Sequence, residues 1–321
     1  MALNWIDVND YSFNSCLLLE RFQIRLICNN NQDEFKKNLG IALYYNPPVN
    51  WYFVHKCPEC KLYVEEITSS VPSGLNASDI RQAEIFVMQA CEDFIVYCYP
   101  EVMDSSCNFI YAWDKERLFE LADFTNKVVL DVGSGSGRLA FAAAEKAKMV
   151  YASEPVDKLR EYLRDKIIRE NINNIIVVDG MVHKIPYPDN MFDIVMSGHV
   201  VGDDYDTELA ELTRVVKNGG YILDCPGEDD RKTSSRKEML KRGYEELHYV
   251  SKLGGDVYRY RKQIPKASTI FLPKPCHTLP TLSAKVLVVL ISKITKLVMY
   301  LLAPCFFKNP HLVNLSTSSS R

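Results

Sequence analysis

Between residues 128 and 225, short β-branched or aliphatic runs alternate with stretches whose apolar positions recur at helical spacing. Continuous apolar runs are typical of strands buried on both faces, and the amphipathic stretches between them are typical of crossover helices. The pattern therefore predicts an α/β fold with a doubly wound, mostly parallel sheet. The predicted strands are Val128–Val132, Met149–Ser153, Ile175–Val178, Phe192–Met196 and Tyr221–Cys225, and the predicted helices are Arg138–Ala147, Val156–Glu170 and Thr207–Val216.

A hairpin is predicted after the fifth strand. Two strand-like runs, Glu246–Leu253 and Asp256–Lys262, flank the dipeptide Gly254-Gly255, and a Gly-Gly pair in that position predicts a tight turn. A basic helix at about 231–242 precedes them. The hairpin would bring the sheet to seven strands.

The two ends of the chain differ from this central part. Residues 1–110 form an N-terminal extension, predicted to be α+β, because short apolar runs and Asn/Pro-rich turns occupy 1–77 and a helical pattern occupies about 79–97. A short helix is expected at 114–122. Four prolines between 265 and 280 predict a linker, and 281–321 is predicted to be an apolar, basic helix with a polar tail.

Composition places the chain among ordinary globular proteins. Apolar residues make up 47% and charged residues 25% of 321 residues, which argues against disorder and against a polytopic membrane protein. The segment Met1–Asp10 lacks a basic stretch followed by an apolar run, so no secretory signal is expected. We therefore expect a cytoplasmic protein whose ten cysteines are mostly reduced thiols.

The charge is unevenly distributed although the net charge is only -3. Residues 231–321 contain 17 Lys and Arg but 4 Asp and Glu. Such asymmetry indicates an anionic partner, either a membrane surface or a nucleic acid, unless the charges are simply a solvated helix face.

The apolar segment Leu282–Phe307 bears on that choice. It is long enough to span a bilayer, but Lys285, Lys293 and Lys296 would be poorly tolerated there. With Ser292 these lysines fall on one side of a helix, as in helices that lie along an anionic membrane. We expect residues 281–308 to contact such a surface. The alternative is packing on the domain or on a second subunit, which would make a homodimer.

A glycine-rich loop follows the first predicted strand. The segment 128–137 reads VVLDVGSGSG, and its alternate glycines would let a ligand lie against bare backbone. The dinucleotide fingerprint requires G-x-G-x-x-G, whereas this loop is G-x-G-x-G with Asp131 two residues before its first glycine. The difference favours a cofactor without a pyrophosphate. The alternative is a tight strand-to-helix turn that binds nothing.

Further segments follow this loop in a consistent order. Glu154 and Pro155 stand at the end of the next strand, where a carboxylate can accept hydrogen bonds from both ribose hydroxyls. Gly180-Met-Val, Ile185-Pro-Tyr and Asn190-Met-Phe-Asp come next, and 211–220 reads ELTRVVKNGG. In this order they resemble the class I S-adenosylmethionine-dependent methyltransferases, and in particular the ubiquinone/menaquinone methyltransferase-like branch. The resemblance runs from about 127 to 227 and implies a Rossmann-like methyltransferase domain at 111–264.

The resemblance implies S-adenosyl-L-methionine as cofactor. One position departs from the family pattern: Met181 stands where an aspartate usually receives the adenine amino group, and Asp179 would compensate if its side chain turned inward. The expected cofactor-binding residues are Asp131, Gly133, Ser134, Gly135, Gly137, Glu154, Pro155, Gly180, Met181, Val182 and Ser197.

A catalytic base is sought at the end of the fourth strand, because ligands of open α/β sheets bind at the carboxyl edge. His199 is the candidate, since histidine suits proton removal near neutral pH. Its alternative role is to shape the pocket or contact the cofactor. Asp203, Asp204 and Tyr205 follow and are candidates for orienting an acceptor, or are simply solvated.

The segment His55-Lys-Cys57-Pro-Glu-Cys60 has the spacing of a zinc knuckle. A second ligand pair is missing from the sequence around it. A structural turn with free thiols is therefore favoured over a metal site, and no thioredoxin-like pattern supports a redox role.

These features predict an enzyme that transfers a methyl group to a small molecule, with a lipophilic acceptor delivered from the membrane as one option. The region before Lys127 and the C-terminal tail are expected to form part of the acceptor pocket. One alternative is a nucleic-acid or protein methyltransferase, although no Asn-Pro-Pro-Tyr-like motif follows the fourth strand and no RNA-binding module is recognised, so we do not expect a nucleic-acid partner. The other alternative is a non-catalytic module that binds S-adenosylmethionine.

Overall fold

The computed structural model describes residues 6–226, 234–252 and 254–266, and a seven-stranded sheet lies at its centre. The strand order is β3-β2-β1-β4-β5-β7-β6; β1 to β5 pair in parallel, and β7 runs antiparallel to both of its neighbours. The strands are β1 (Val128–Val132), β2 (Met149–Ser153), β3 (Ile175–Val178), β4 (Phe192–Ser197), β5 (Val216–Asp224), β6 (Glu245–Val250) and β7 (Asp256–Gln263). The predicted α/β class, parallel strands and C-terminal hairpin are confirmed.

Helices precede the sheet and connect its strands. Those before the sheet are α1 (Arg21–Cys28), α2 (Asp33–Tyr45), α3 (Pro47–Lys56), α4 (Lys61–Ser69), α5 (Ala77–Ala90), α6 (Glu92–Tyr97), α7 (Pro100–Ser106), α8 (Asn108–Tyr111) and α9 (Glu116–Phe119). Those within the sheet region are α10 (Arg138–Ala144), α11 (Asp157–Arg169), α12 (Tyr205–Val215) and α13 (Ser234–Lys241).

The sheet is buried on both faces, which explains its unbroken apolar strands. On one face Leu130 and Val195 pack with Leu212 of α12, and all three are almost fully buried. On the other face Val129 and Ile194 belong to a cluster with the alanine-rich helix α10. Burial of both faces requires helices on both sides, as the crossover pattern predicted.

The expectation of strands in the N-terminal extension is wrong for its described residues, which are helical from Val8 onward. Pro47 and Pro58 were interpreted as turn residues, but each occupies the first turn of a helix, where proline's missing N–H costs nothing. The helix expected at 79–97 is present but is divided at Cys91 into α5 and α6. These short helices surround a core of their own that includes Leu39 and Phe53.

The extension is not a separate body. Residues up to Ala267 form one compact unit that includes both the helices and the sheet, so the expected boundary near 110 is a change of architecture within it. The expected linker at 265–280 and the helix at 282–307 lie beyond 266, outside the described residues. Within the described part of the chain, no helix is long and apolar enough to cross a membrane.

Candidate functional site

A cavity of about 530 Å³ opens at the carboxyl ends of the parallel strands. This edge is where open α/β sheets bind their ligands. The sheet forms one wall, and α1, α7 and α8 form the opposite wall. Nine residues predicted to bind the cofactor or act on the acceptor line it: Asp131, Gly133, Ser134, Gly135, Glu154, Pro155, Met181, Val182 and His199.

The glycine loop adopts a backbone that only glycine tolerates easily. Gly133, Gly135 and Gly137 have φ values of 65°, 56° and 98°, in the left-handed region. A Cβ atom on Gly133 would lie 2.3 Å from the Val200 side chain. The alternation of glycines therefore serves both the turn and the close approach of the loop that follows β4.

Glu154, which directly follows β2, is hydrogen-bonded to the glycine loop. Its Oε2 accepts a hydrogen bond from the Gly135 amide at 2.8 Å, and its Oε1 accepts one from the Val156 amide at 2.9 Å. Burial raises the pKa of its carboxyl group to about 7, against the effect of these two bonds. Glu154 thus joins the loop to β2 and reaches the cavity with a carboxyl that is partly protonated at neutral pH.

Asp131 brings a second buried carboxyl to the cavity. The residue is 1% exposed, and neither carboxylate oxygen has a hydrogen-bond partner. Burial raises its pKa to about 7, and the nearby Arg138 charge and Ser134 only partly oppose that effect. A buried polar group without a partner is destabilising, so the arrangement calls for a ligand that donates hydrogen bonds or carries positive charge.

These residues fit S-adenosylmethionine. The left-handed glycines expose bare backbone, the two carboxyl groups suit its ribose hydroxyls and its ammonium and sulfonium charges, and nothing in the loop is arranged for a pyrophosphate. Ribose would be held at Glu154 and the positive groups near Asp131.

Three predicted cofactor residues do not line the cavity. Gly137 faces Phe141 and Leu163 on the far side of the loop, and Gly180 lies against Ser153 and Pro186. Ser197 is fully buried and its hydroxyl donates to Asp224. These positions shape the backbone under the site instead of reaching into it.

The idea that Asp179 replaces the missing adenine aspartate is wrong. Its side chain is 76% exposed and pairs with Arg160 at 3.3 Å, so it points away from the cavity. Met181 and Val182 line the cavity in its place. An adenine ring would therefore meet apolar side chains here.

His199 lies where the sequence placed it, in a strained backbone conformation with φ of 60°. Its ring contacts Phe109, with 4.6 Å between ring centroids. Although solvent reaches the ring through the cavity, the surrounding protein disfavours its charged form, as does the positive Arg138, and the pKa of His199 is lowered to about 4. A hydrogen bond to the backbone of Pro226 opposes this shift only in part.

The residues of the acidic segment 203–208, which follows β4, have different roles. Asp203 and Asp204 line the cavity, but Asp204 also caps α12 by accepting from the Thr207 amide and hydroxyl. Tyr205 does not line the cavity, and the Arg242 guanidinium lies over its ring. Glu208, which the sequence did not single out, lines the cavity and accepts from the Gly202 amide at 2.8 Å.

The region before Lys127 contributes to the cavity, as expected for part of an acceptor pocket, but the individual residues of the opposite wall could not be identified from the sequence. This wall is mainly apolar and comes from the N-terminal helices, whose fold had no readable pattern. The residues concerned are Phe22, Leu26, Tyr97, Met103, Phe109 and Ile110. Arg138 also lines the cavity, and its position directly after the last glycine was the one available signal.

The cysteine pair lies outside this site. The Cys57 and Cys60 sulfurs are 3.1 Å apart and buried, and desolvation raises the pKa of Cys57 to about 12. His55 instead stacks on Trp51 and bonds to its carbonyl oxygen. Among the described residues no group of three His, Cys, Asp or Glu side chains is arranged to hold a metal ion. The eight described cysteines are free thiols.

Comparison with known proteins agrees with this geometry. Residues 130–223 match the family model for a methyltransferase domain. An uncharacterized methyltransferase of Schizosaccharomyces pombe is 36% identical over 104 residues, 29% of this chain and 37% of that protein. A demethylmenaquinone methyltransferase of a Geobacillus species is 28% identical over 135 residues, 40% of this chain and 58% of that protein.

A histone-arginine methyltransferase of Aedes aegypti is 42% identical over 77 residues, 23% of this chain and 13% of that protein. The chain thus spans well under two thirds of each of these three relatives. Residues 130–223 are therefore a methyltransferase domain of the class I S-adenosylmethionine-dependent family.

Proposed function

We propose that this protein is an enzyme that methylates a small molecule with an extended apolar part. The supporting observation is the composition of the cavity, in which one side carries the glycine loop and two carboxyl groups and the other is an apolar wall. Phe22 and Leu26 of α1 and Met103 of α7 belong to that wall. Similarity to a demethylmenaquinone methyltransferase, whose name specifies demethylmenaquinone as the acceptor, also supports the proposal.

When bound, S-adenosylmethionine would supply an electrophilic methyl group for in-line transfer to the acceptor, with its sulfonium as the leaving group. The chain's own residues hold and orient the two reactants, and positioning alone can lower such a barrier by roughly 7 kcal/mol or more. Glu154 and the glycine loop would hold S-adenosylmethionine against the sheet. The apolar side chains of Met103 and Ile110 line the same cavity and would favour an apolar part of the acceptor.

We assign removal of a proton from the acceptor to the residues at the end of β4. His199 is neutral at pH 7, and one ring nitrogen bonds to Pro226, so the other can accept a proton or a hydrogen bond. With a pKa of about 4 it is a weaker base than an ordinary histidine. His199 therefore serves an acceptor that is already acidic, or orients the acceptor by a hydrogen bond.

We expect His199→Ala to lower turnover by about a hundredfold while affinity for S-adenosylhomocysteine stays within about twofold. Because the lowered pKa keeps the ring neutral, the wild-type rate should show no titration of this histidine near pH 6.5, and any such limb should appear near pH 4. Turnover measured across this pH range tests both points. An acid limb at pH 6.5 that vanishes in His199→Ala would contradict the description of its environment.

The acceptor class can be tested without knowing the acceptor. The purified protein is incubated with methyl-labelled S-adenosylmethionine and cell extract, and the products are divided into organic-extractable, nucleic-acid and protein fractions. Label in the organic-extractable fraction is expected. Label confined to protein would favour the class of the histone-arginine relative and would refute the small-molecule proposal.

We further propose that residues 281–308 hold the protein on anionic membranes in the cytoplasm, where an apolar acceptor would be found. In vesicle sedimentation the full chain should bind anionic vesicles, and high salt should weaken binding, because each basic residue near the surface contributes on the order of 1 kcal/mol that ions screen. A chain lacking 281–321 should not bind. Equal binding by that truncated chain, or salt-independent binding by the full chain, would refute peripheral attachment.

A further inference from the structure

Arg138, the first residue of α10, has a guanidinium group buried beside the cavity. The group lies over two aromatic rings, 5.0 Å from the centroid of Trp113 and 5.6 Å from that of Phe109. A Cβ atom on Gly198 would lie 2.6 Å from Nη2 of this arginine. The group is therefore held in one place by the end of β4 on one side and by rings from the N-terminal part on the other.

The charge of Arg138 has no counter-ion within ion-pair distance among the described residues. Nη2 donates to the carbonyl oxygen of Cys225, and Nη1 has no hydrogen-bond partner. Asp131 and Asp224 act on it only through space. A guanidinium nitrogen that is buried without a hydrogen-bond partner destabilises the folded chain, so an anionic ligand that accepts from Nη1 would be favoured here.

Buried groups of both charges line the cavity. The buried carboxyl groups of Asp131 and Glu154 lie at the glycine loop and the end of β2, where a cationic cofactor is expected. Arg138 lies at the ends of β4 and β5, close enough to disfavour the charged form of His199. Asp203, Asp204 and Glu208 also line the cavity, so attraction for negative charge is confined to the immediate surroundings of the Arg138 guanidinium, whereas Asp131 and Glu154 attract positive charge.

We infer that Arg138 binds an oxyanion of the acceptor, such as a carboxylate or an ionised phenol or enol. The methionyl carboxylate of the cofactor has the same chemistry. The acceptor is favoured because Phe109 and Trp113, which hold the guanidinium, lie outside the matched domain at 130–223, and Phe109 belongs to the apolar wall of the cavity. This inference rests on the proposed function and restricts its substrate class to apolar molecules with an acidic oxygen.

An oxyanion also suits the reaction. An acceptor that binds as its anion has already lost its proton, so it needs no strong base, and the neighbouring His199 is a weak one. The guanidinium would lower the pKa of an acidic oxygen beside it.

Benzoate and benzamide, which have the same shape but differ in charge, are suitable probes. Each is titrated by calorimetry into wild type, Arg138→Met and Arg138→Lys, all saturated with S-adenosylhomocysteine so that the cofactor site is filled. Wild type should bind benzoate at least tenfold more tightly than benzamide. Arg138→Met should lose that preference, and Arg138→Lys should keep part of it.

Controls separate this outcome from a loss of folding. Arg214→Met removes a half-buried arginine that bonds to Glu211 and Asp189 and does not line the cavity. It should lower the melting temperature but keep the benzoate preference. If wild type shows no preference for benzoate, or if a folded Arg138→Met protein keeps one, the inference is refuted.

A second comparison identifies the source of the oxyanion. S-adenosylhomocysteine carries the methionyl carboxylate, whereas 5′-methylthioadenosine lacks it. If Arg138→Met weakens the first tenfold and leaves the second unchanged, the oxyanion belongs to the cofactor and the acceptor assignment is overturned. If wild type binds neither nucleoside, the proposed function fails, and that result is distinct from a failure of the inference.

Discussion

Replacement of Glu154 by alanine is expected to weaken the binding of S-adenosylhomocysteine ten- to a hundredfold, about 1.5 to 3 kcal/mol. The carboxylate would accept hydrogen bonds from the ribose hydroxyls, and it also holds the Gly135 and Val156 amides. Its removal therefore takes away a ligand contact and loosens the loop that makes the other contacts. Calorimetric titration at neutral pH measures the change.

Two further variants make this result specific. Glu154→Gln keeps the shape and one acceptor oxygen, so its loss of affinity should lie between those of wild type and Glu154→Ala. Glu145→Ala removes an exposed glutamate that pairs with Lys115 away from the cavity, and it should bind like wild type. Full affinity in Glu154→Ala would show that the ribose lies elsewhere.

The ligand-free protein is expected to lose stability as the pH rises from 5 to 8. Burial raises the folded-state pKa values of Asp131 and Glu154 to about 7, so the folded chain holds protons that the unfolded chain has released. Each carboxyl therefore stabilises the fold fully below its unfolded pKa, and this contribution is lost as the pH rises through the folded value. The loss is about 1.4 kcal/mol per pH unit for each group, or a few kcal/mol over the range.

Chemical denaturation at several pH values, with and without S-adenosylhomocysteine, measures this effect. The double variant Asp131→Asn, Glu154→Gln should lack this decline in stability. His199 acts in the opposite direction, since its lowered pKa makes it destabilising below about pH 6.5, and it does so equally in both proteins. If wild type and double variant have the same pH dependence, these carboxyl groups are not held protonated in the fold.

The sheet could be predicted from the sequence because its signals are local. Strands β1 and β2 begin and end at the predicted residues, since each is a short apolar run bounded by polar residues or glycine. Predicted residues on three strand ends, such as Asp131, Glu154 and His199, meet at one cavity because parallel strands place their carboxyl ends at the same edge. The parallel topology of the sheet is therefore sufficient to bring most of the predicted cofactor-binding residues together.

The rest depends on contacts distant in sequence. The helical structure of the N-terminal wall and its individual residues were missed because short helices such as α3 and α4 have weak periodicity and begin at or just after prolines, which resemble turns in a sequence. The direction of Asp179 depends on Arg160, a partner in another element. The carboxylate oxygens of Asp131 and Nη1 of Arg138 are buried without hydrogen-bond partners, and no sequence pattern predicts that burial.

The central claim is that this cavity binds S-adenosylmethionine, and calorimetric titration of its demethylated product into the wild-type protein tests that claim most directly. The structure predicts saturable one-to-one binding at neutral pH, weakened by Glu154→Ala. Binding should also tighten as the pH rises through 7, because a ligand that donates hydrogen bonds favours the ionised carboxyl groups. A folded wild-type protein that binds neither S-adenosylhomocysteine nor S-adenosylmethionine would contradict the account.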